Sequence, residues 1–149
     1  MAVSAQTHWI QGIGFEVEVR GHHVFTDGKK EVGGKDRGPT PKEYVLAGLC
    51  GCTGMDVVSL MKKYKVDFKT FDVSAETEQT KEHPVQFTTI QVKFEVTGES
   101  LDPELIKKSV ELSMTKYCGV SAMLSKAVPI HYDIYVNQQN IHSGKAQFE

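Results

Sequence analysis

Thr40-Pro41-Lys42-Glu43-Tyr44-Val45-Leu46-Ala47-Gly48-Leu49-Cys50-Gly51-Cys52-Thr53-Gly54-Met55-Asp56 is the stretch whose reading decides the fold. Thr40 suits an N-cap, Pro41 the first helical position and Glu43 the reciprocal place of a capping box. The helix they open is expected to run to about Tyr64, where Lys62, Lys63 and Lys65 face the negative end of its dipole. From Tyr44 to Met61 its only charge is Asp56. A helix apolar on nearly all sides belongs in a core or an interface. Gly48, Gly51 and Gly54, with Thr53, Asp56 and Ser59, break any long greasy run and argue against a membrane span. Each of those glycines costs roughly 1 kcal/mol against alanine in a helix interior. Their three-residue spacing leaves one side of the backbone bare, so close approach by another element, from this chain or a second subunit, is expected to offset that cost.

Upstream, Phe15 to Arg20 alternates apolar and charged residues, the period of a half-buried strand. Asp27-Gly28 marks a turn, and Glu31 to Pro39 reads as a glycine-rich linker without the Gly-Lys-Ser/Thr ending of a phosphate loop. Downstream, Phe71, Val73 and Ala75, then Ile90, Val92, Phe94 and Val96, alternate with polar residues, and Lys81 to Pro84 forms the loop between two strands. Asp102-Pro103 opens a second helix with Ile106, Val110, Ser113, Met114 and Tyr117 inward. It reaches Cys118-Gly119, one or two further turns extend to Lys126, and Val128 to Val136 is a last strand. Residues 137–149 read as a loose polar tail, and Trp9, Phe15 and Met55 as core.

With 149 residues the chain is read as a single domain, large enough to fold without a metal or disulfide staple. Hydrophobic residues at 40%, charged residues at 24% and a formal net charge of −2 fit an ordinary globule and disfavour nucleic acid as a partner. The start of the chain has no basic stretch followed by an apolar run, so a cytoplasmic protein with no membrane partner is expected.

Three cysteines are too few, and of the wrong parity, for a secreted disulfide scaffold. Cys50 and Cys52 stand about 200° apart around a helix and can neither bridge nor share a metal. His22 and His23 are adjacent on a strand and point to opposite faces, so no metal or other cofactor is expected. Cys118 lies where one helix ends and a shorter one begins, where free N–H groups would favour its thiolate. By this chemistry alone each cysteine can be inert packing or redox-active.

The run Thr40 to Thr53, with a cysteine eleven positions after Pro41, resembles the central-helix motif of the OsmC/Ohr family. Lys116-Tyr117-Cys118-Gly119-Val120-Ser121 is similar to that family's second cysteine motif, and the order of elements agrees over about residues 5 to 136. The resemblance implies an α+β fold, with antiparallel sheets around a long buried central helix, in an intertwined homodimer. It also implies an antioxidant activity: a thiol-dependent peroxidase that reduces organic hydroperoxides and is recycled by a dithiol reductant. Carried over residue by residue, Cys52 is the peroxidatic thiolate and Cys118 the resolving thiol. Glu43, displaced one position from the family's glutamate by Lys42, would orient an activating cation, for which Arg37 is the first candidate and Arg20 the second. Asp56 puts a negative charge one helical turn from Cys52, which makes such a cation necessary. The alternative is a redox-sensing or apolar-ligand-binding relative without efficient turnover.

Overall fold

The computed structural model describes residues 2–149. The chain divides into two compact units, residues 1–45 and 46–149.

The first unit is a meander of β1 (Gln6–Gln11), β2 (Gly14–Val19) and β3 (His22–Thr26), paired antiparallel in that order. Arg20 and Gly21 both take positive φ, the conformation a two-residue hairpin loop requires. The segment after β3 is no linker. The Asp27 side chain is buried and accepts hydrogen bonds from the backbone N–H groups of Gly28, Lys35 and Arg37. One turn of 3-10 helix at Lys30–Val32 sits within this wrap. Gly34 packs so tightly on the Gly28 backbone that any side chain there would collide with it. Trp9 is 66% exposed, not core, and its indole N–H donates to the Gly12 carbonyl.

The helix α1 spans Pro41–Lys63, within one residue of the expected end. The Glu43 carboxylate accepts from the Thr40 N–H at 2.7 Å, the glutamate's half of a capping box, as its sequence dictates. α1 runs on into the second unit. There Leu49, Thr53, Val57 and Met61, each one turn after the last, form its buried stripe. By length and composition α1 is apolar enough to cross a membrane, yet that buried stripe carries the polar Thr53. The rest of the helix is less covered than its composition implies. Met55 is 75% exposed, and among the described residues nothing approaches the ideal Cβ positions of Gly48 or Gly51. Only Gly54 meets a neighbour, Val73, at an ordinary contact distance.

The stripe packs on a four-stranded sheet, β4 (Thr70–Gln79), β5 (Phe87–Thr97), β6 (Ile130–Val136) and β7 (Gln139–Lys145), in that order. Ile90, Val92, Phe94 and Val96 of β5 and Ile130, Tyr132, Ile134 and Val136 of β6 face this core. Phe71, Phe94 and Tyr132 form a ring series across three strands, with centroids 6.4 and 6.2 Å apart. The sheet is mixed rather than antiparallel throughout. β5 and β6 run parallel, because the helices between them return the chain to the edge from which β5 started. These are α2 (Pro103–Leu112), a π-helical turn (Ser113–Tyr117) and α3 (Gly119–Leu124).

Tyr117 is 49% exposed rather than inward, because the π-helical turn inserts an extra residue and rotates its own end out of the α-helical phase. The polar tail is ordered: its residues 139–145 are β7, paired antiparallel with β6. Asn137 and Gln138 make the connecting turn with positive φ, and the Asn137 amide clamps both the N–H and the carbonyl of Gly98.

Candidate active site

α1 and the π-helical turn bring three reactive groups together. Cys52 and Asp56 are four residues apart and share one side of α1. Cys118 comes from the segment facing that side. The two sulfurs and a carboxylate oxygen of Asp56 all lie within 4.8 Å of one another. Cys118 is fully buried, and Cys52 and Asp56 are half-buried. All three cysteines are free thiols. Cys50 takes no part: as the helical spacing requires, it faces elsewhere, into an open groove with Gly51, Met55, Phe71 and Val73.

Local structure fixes each group. The Cys118 N–H donates to the Ser113 carbonyl at 3.0 Å, closing the wide turn. Cys118 then leaves the helical region with φ −70° and ψ 103° and becomes the N-cap of α3. Its sulfur accepts from the Ser121 N–H at 3.3 Å. This is the helix-start placement expected from the sequence, but a different effect dominates. Burial pushes the Cys118 thiol above its ordinary value, the Ser121 contacts work against that rise, and the adjacent Cys52 adds to it. Burial also raises the Cys50 thiol.

Asp56 is held by a buried relay that the sequence reading missed. Ser113 Oγ donates to Asp56 Oδ2 at 3.0 Å and lies 2.8 Å from Thr53 Oγ1. Because the Ser113 proton goes to the carboxylate, Thr53 is the donor to Ser113. Thr53 and Ser113 are fully buried. The only signal for this relay was two hydroxyl residues at inward helical positions where apolar side chains are usual.

Glu43 and Arg37 belong to the first unit, where each has partners of its own. Glu43 is the capping carboxylate, held below the ordinary range first by the Thr40 backbone N–H. The Arg37 guanidinium donates to Asp27 Oδ2 at 3.0 Å and to the Gln11 carbonyl at 3.1 Å. That guanidinium is the main reason the Asp27 carboxyl lies below its usual value. Arg20 stands in the β2–β3 turn.

The arrangement suits two-thiol chemistry, with a half-exposed sulfur open to a reactant and a buried sulfur behind it. The same fold and sequence pattern recur elsewhere. Protein YhfA of Escherichia coli K12 is 36% identical over 135 residues, covering 90% of this chain and 98% of that one. A crystal structure of a hypothetical protein from Aquifex aeolicus superposes with a TM-score of 0.82 at 21% identity, covering 92% of this chain and 97% of that chain. An organic hydroperoxide resistance protein from Elizabethkingia anophelis superposes with a TM-score of 0.64 at 16% identity, covering 93% and 97%. The sequence model of OsmC-like proteins matches residues 33–133, a span that contains the capping box, the central helix and all three cysteines. With that match over most of its length, the chain belongs to the OsmC-like protein family.

Proposed function

We propose that the protein is a thiol-dependent peroxidase that reduces organic hydroperoxides. The observation that carries this reading is the approach of the Cys52 and Cys118 sulfurs to within 4.8 Å, one half-exposed and the other buried. The Cys52 thiolate attacks an oxygen of the O–O bond. That bond breaks, the departing alkoxide takes a proton and leaves as the alcohol, and Cys52 becomes a sulfenic acid. The Cys118 sulfur then displaces the sulfenic hydroxyl, which departs as water once protonated, and a disulfide forms. An external dithiol reduces it by two exchange steps. Forming the bond closes the sulfurs to about 2.05 Å.

Arg37 is the proposed cation that favours the Cys52 thiolate, and Glu43 the carboxylate proposed to orient it. We assign them these roles within a homodimer in which a second copy covers the bare Gly48–Gly51 side of α1. Likeness of fold to the hydroperoxide resistance protein of Elizabethkingia anophelis supports a hydroperoxide as the substrate. The test is peroxide turnover with cumene hydroperoxide and a dithiol reductant. Cys52→Ser is expected to abolish it, and turnover at the wild-type rate in that variant would overturn the proposal. Cys118→Ser retains turnover with small thiols that resolve the sulfenic acid from outside.

Asp56 favours a second reading. A carboxylate within 4.8 Å of both sulfurs opposes negative charge on either, which suits a slowly oxidised sensor more than a fast peroxidase. Stopped-flow oxidation separates the two: a fast second-order step with hydroperoxide excludes the sensor.

A further inference from the structure

Two sulfurs and a carboxylate oxygen converge from opposite sides on one half-buried point, which is a donor set as well as a redox pair. Cys52 and Asp56 are fixed relative to each other by one turn of a rigid helix, and Cys118 is fixed by the π-helical turn opposite. In a tetrahedral zinc site with metal–sulfur bonds of about 2.3 Å and metal–oxygen bonds of about 2.0 Å, donor atoms are about 3.5–3.8 Å apart. The three atoms here are already within 4.8 Å of one another, so an ion would have to draw them in by at most about 1.3 Å. The outer contacts are those that orient metal ligands. Ser113, backed by Thr53, holds the Asp56 carboxylate, and the Ser121 N–H holds the Cys118 sulfur. The half-exposed Cys52 gives an ion its way in.

We propose that Cys52, Asp56 and Cys118 form a binding site for one thiophilic divalent cation of the zinc class, bound through two thiolates and one carboxylate oxygen. Two thiol protons leave as the ion enters. The three anionic donors and the dication give the site a net charge of −1, and a water molecule completes the tetrahedron. Sulfur donors select zinc or cadmium over magnesium and calcium, which prefer all-oxygen shells. No metal is expected from the sequence because Cys50 and Cys52 diverge around the helix, His22 and His23 diverge across a strand, and nothing local brings Cys118 to Asp56. The site uses the sulfurs of the proposed peroxidase but does not depend on that activity. A bound cation holds both sulfurs as ligands and withholds them from peroxide, so occupancy would be an off-state of the thiol pair.

The test is anaerobic titration of the full, reduced chain with cobalt(II), read by thiolate-to-cobalt charge-transfer absorption in the near ultraviolet, with no peroxide present. One equivalent is expected to bind, zinc to bleach the band and Cys50→Ser to leave it unchanged. Cys52→Ser and Cys118→Ser should each lose about half the band intensity, and Asp56→Asn should weaken binding at least about tenfold. Because a variant can fail to fold, the wild-type chain with its Cys52–Cys118 disulfide formed serves as a second control and should show no band. A wild-type chain without the band, or a band retained at full intensity in Cys118→Ser, overturns the metal site. Since no peroxide is used, neither result bears on turnover.

Discussion

Asp27 shows how one buried carboxylate organises a segment that composition alone makes look unstructured. It accepts from three backbone N–H groups and from Arg37, and the guanidinium is the largest cause of its lowered pKa. A carboxyl depressed in the folded state stabilises it at pH values above the ordinary aspartate range. That contribution is lost as pH falls through the folded value. The amide resonances of Gly28, Lys35 and Arg37 should therefore titrate together with a midpoint below about 3.9; a midpoint above that value would mean that the Arg37 contact does not hold in solution. Cys118 presents the opposite sign, since burial keeps its proton on. In a Cys50→Ser/Cys52→Ser background its alkylation rate should still be rising above pH 9, read by mass spectrometry of the modified peptide. A plateau by pH 8 would show a thiolate stabilised more strongly than its burial allows.

At the scale of elements, the π-helical turn does the positioning. By bonding the Cys118 N–H to the Ser113 carbonyl, five residues back, it presents the sulfur to α1 and turns Tyr117 outward. Ser113 also carries the relay to Asp56. Ser113→Ala should cost about 1–3 kcal/mol in urea denaturation, because it strips a half-buried carboxylate of its donor and leaves the Thr53 hydroxyl with only Met114 sulfur to bond. A change below about 0.5 kcal/mol would mean that solvent replaces the hydroxyl. Helix starts were legible, since Thr40-Pro41-Lys42-Glu43 and Asp102-Pro103 each carry a local capping chemistry that the structure reproduces. Cys52 and Cys118 were legible as a pair only through resemblance, because their approach is a long-range contact. The π-helical turn has no local signature, and 3.6-residue periodicity carried past it gives the wrong face for Tyr117. β7 was hidden for a related reason. Its turn uses Asn137-Gln138 where Asn-Gly is the usual signal, and its strand alternates too weakly to separate from a polar tail.

For the whole molecule, the apolar surface left over on α1 sets the question of assembly. Gly48 and Gly51 each forgo helix propensity, yet among the described residues nothing uses the space they leave. The proposed dimer gives that space a use. Sedimentation should return twice the 16.6 kDa chain mass for the wild type, and Gly51→Leu should shift it toward the monomer while the far-ultraviolet spectrum is retained. A monomeric wild type would remove the dimer and, with it, any contribution of a second copy to the thiol site. The core is less ambiguous. β5 and β6 bury an unbroken set of aliphatic and aromatic side chains, as their alternation requires, against Leu49, Val57 and Met61 of α1.

The far end of the chain is tied to this centre. After β7, Ala146 is buried and the Gln147 N–H bonds the Met114 carbonyl, inside the same turn that delivers Cys118. Met114 sulfur in turn receives the hydroxyl of Ser121 and lies 3.6 Å from Thr53 Oγ1. A pull transmitted through β7 and Ala146 therefore tugs at the strap that carries the buried sulfur.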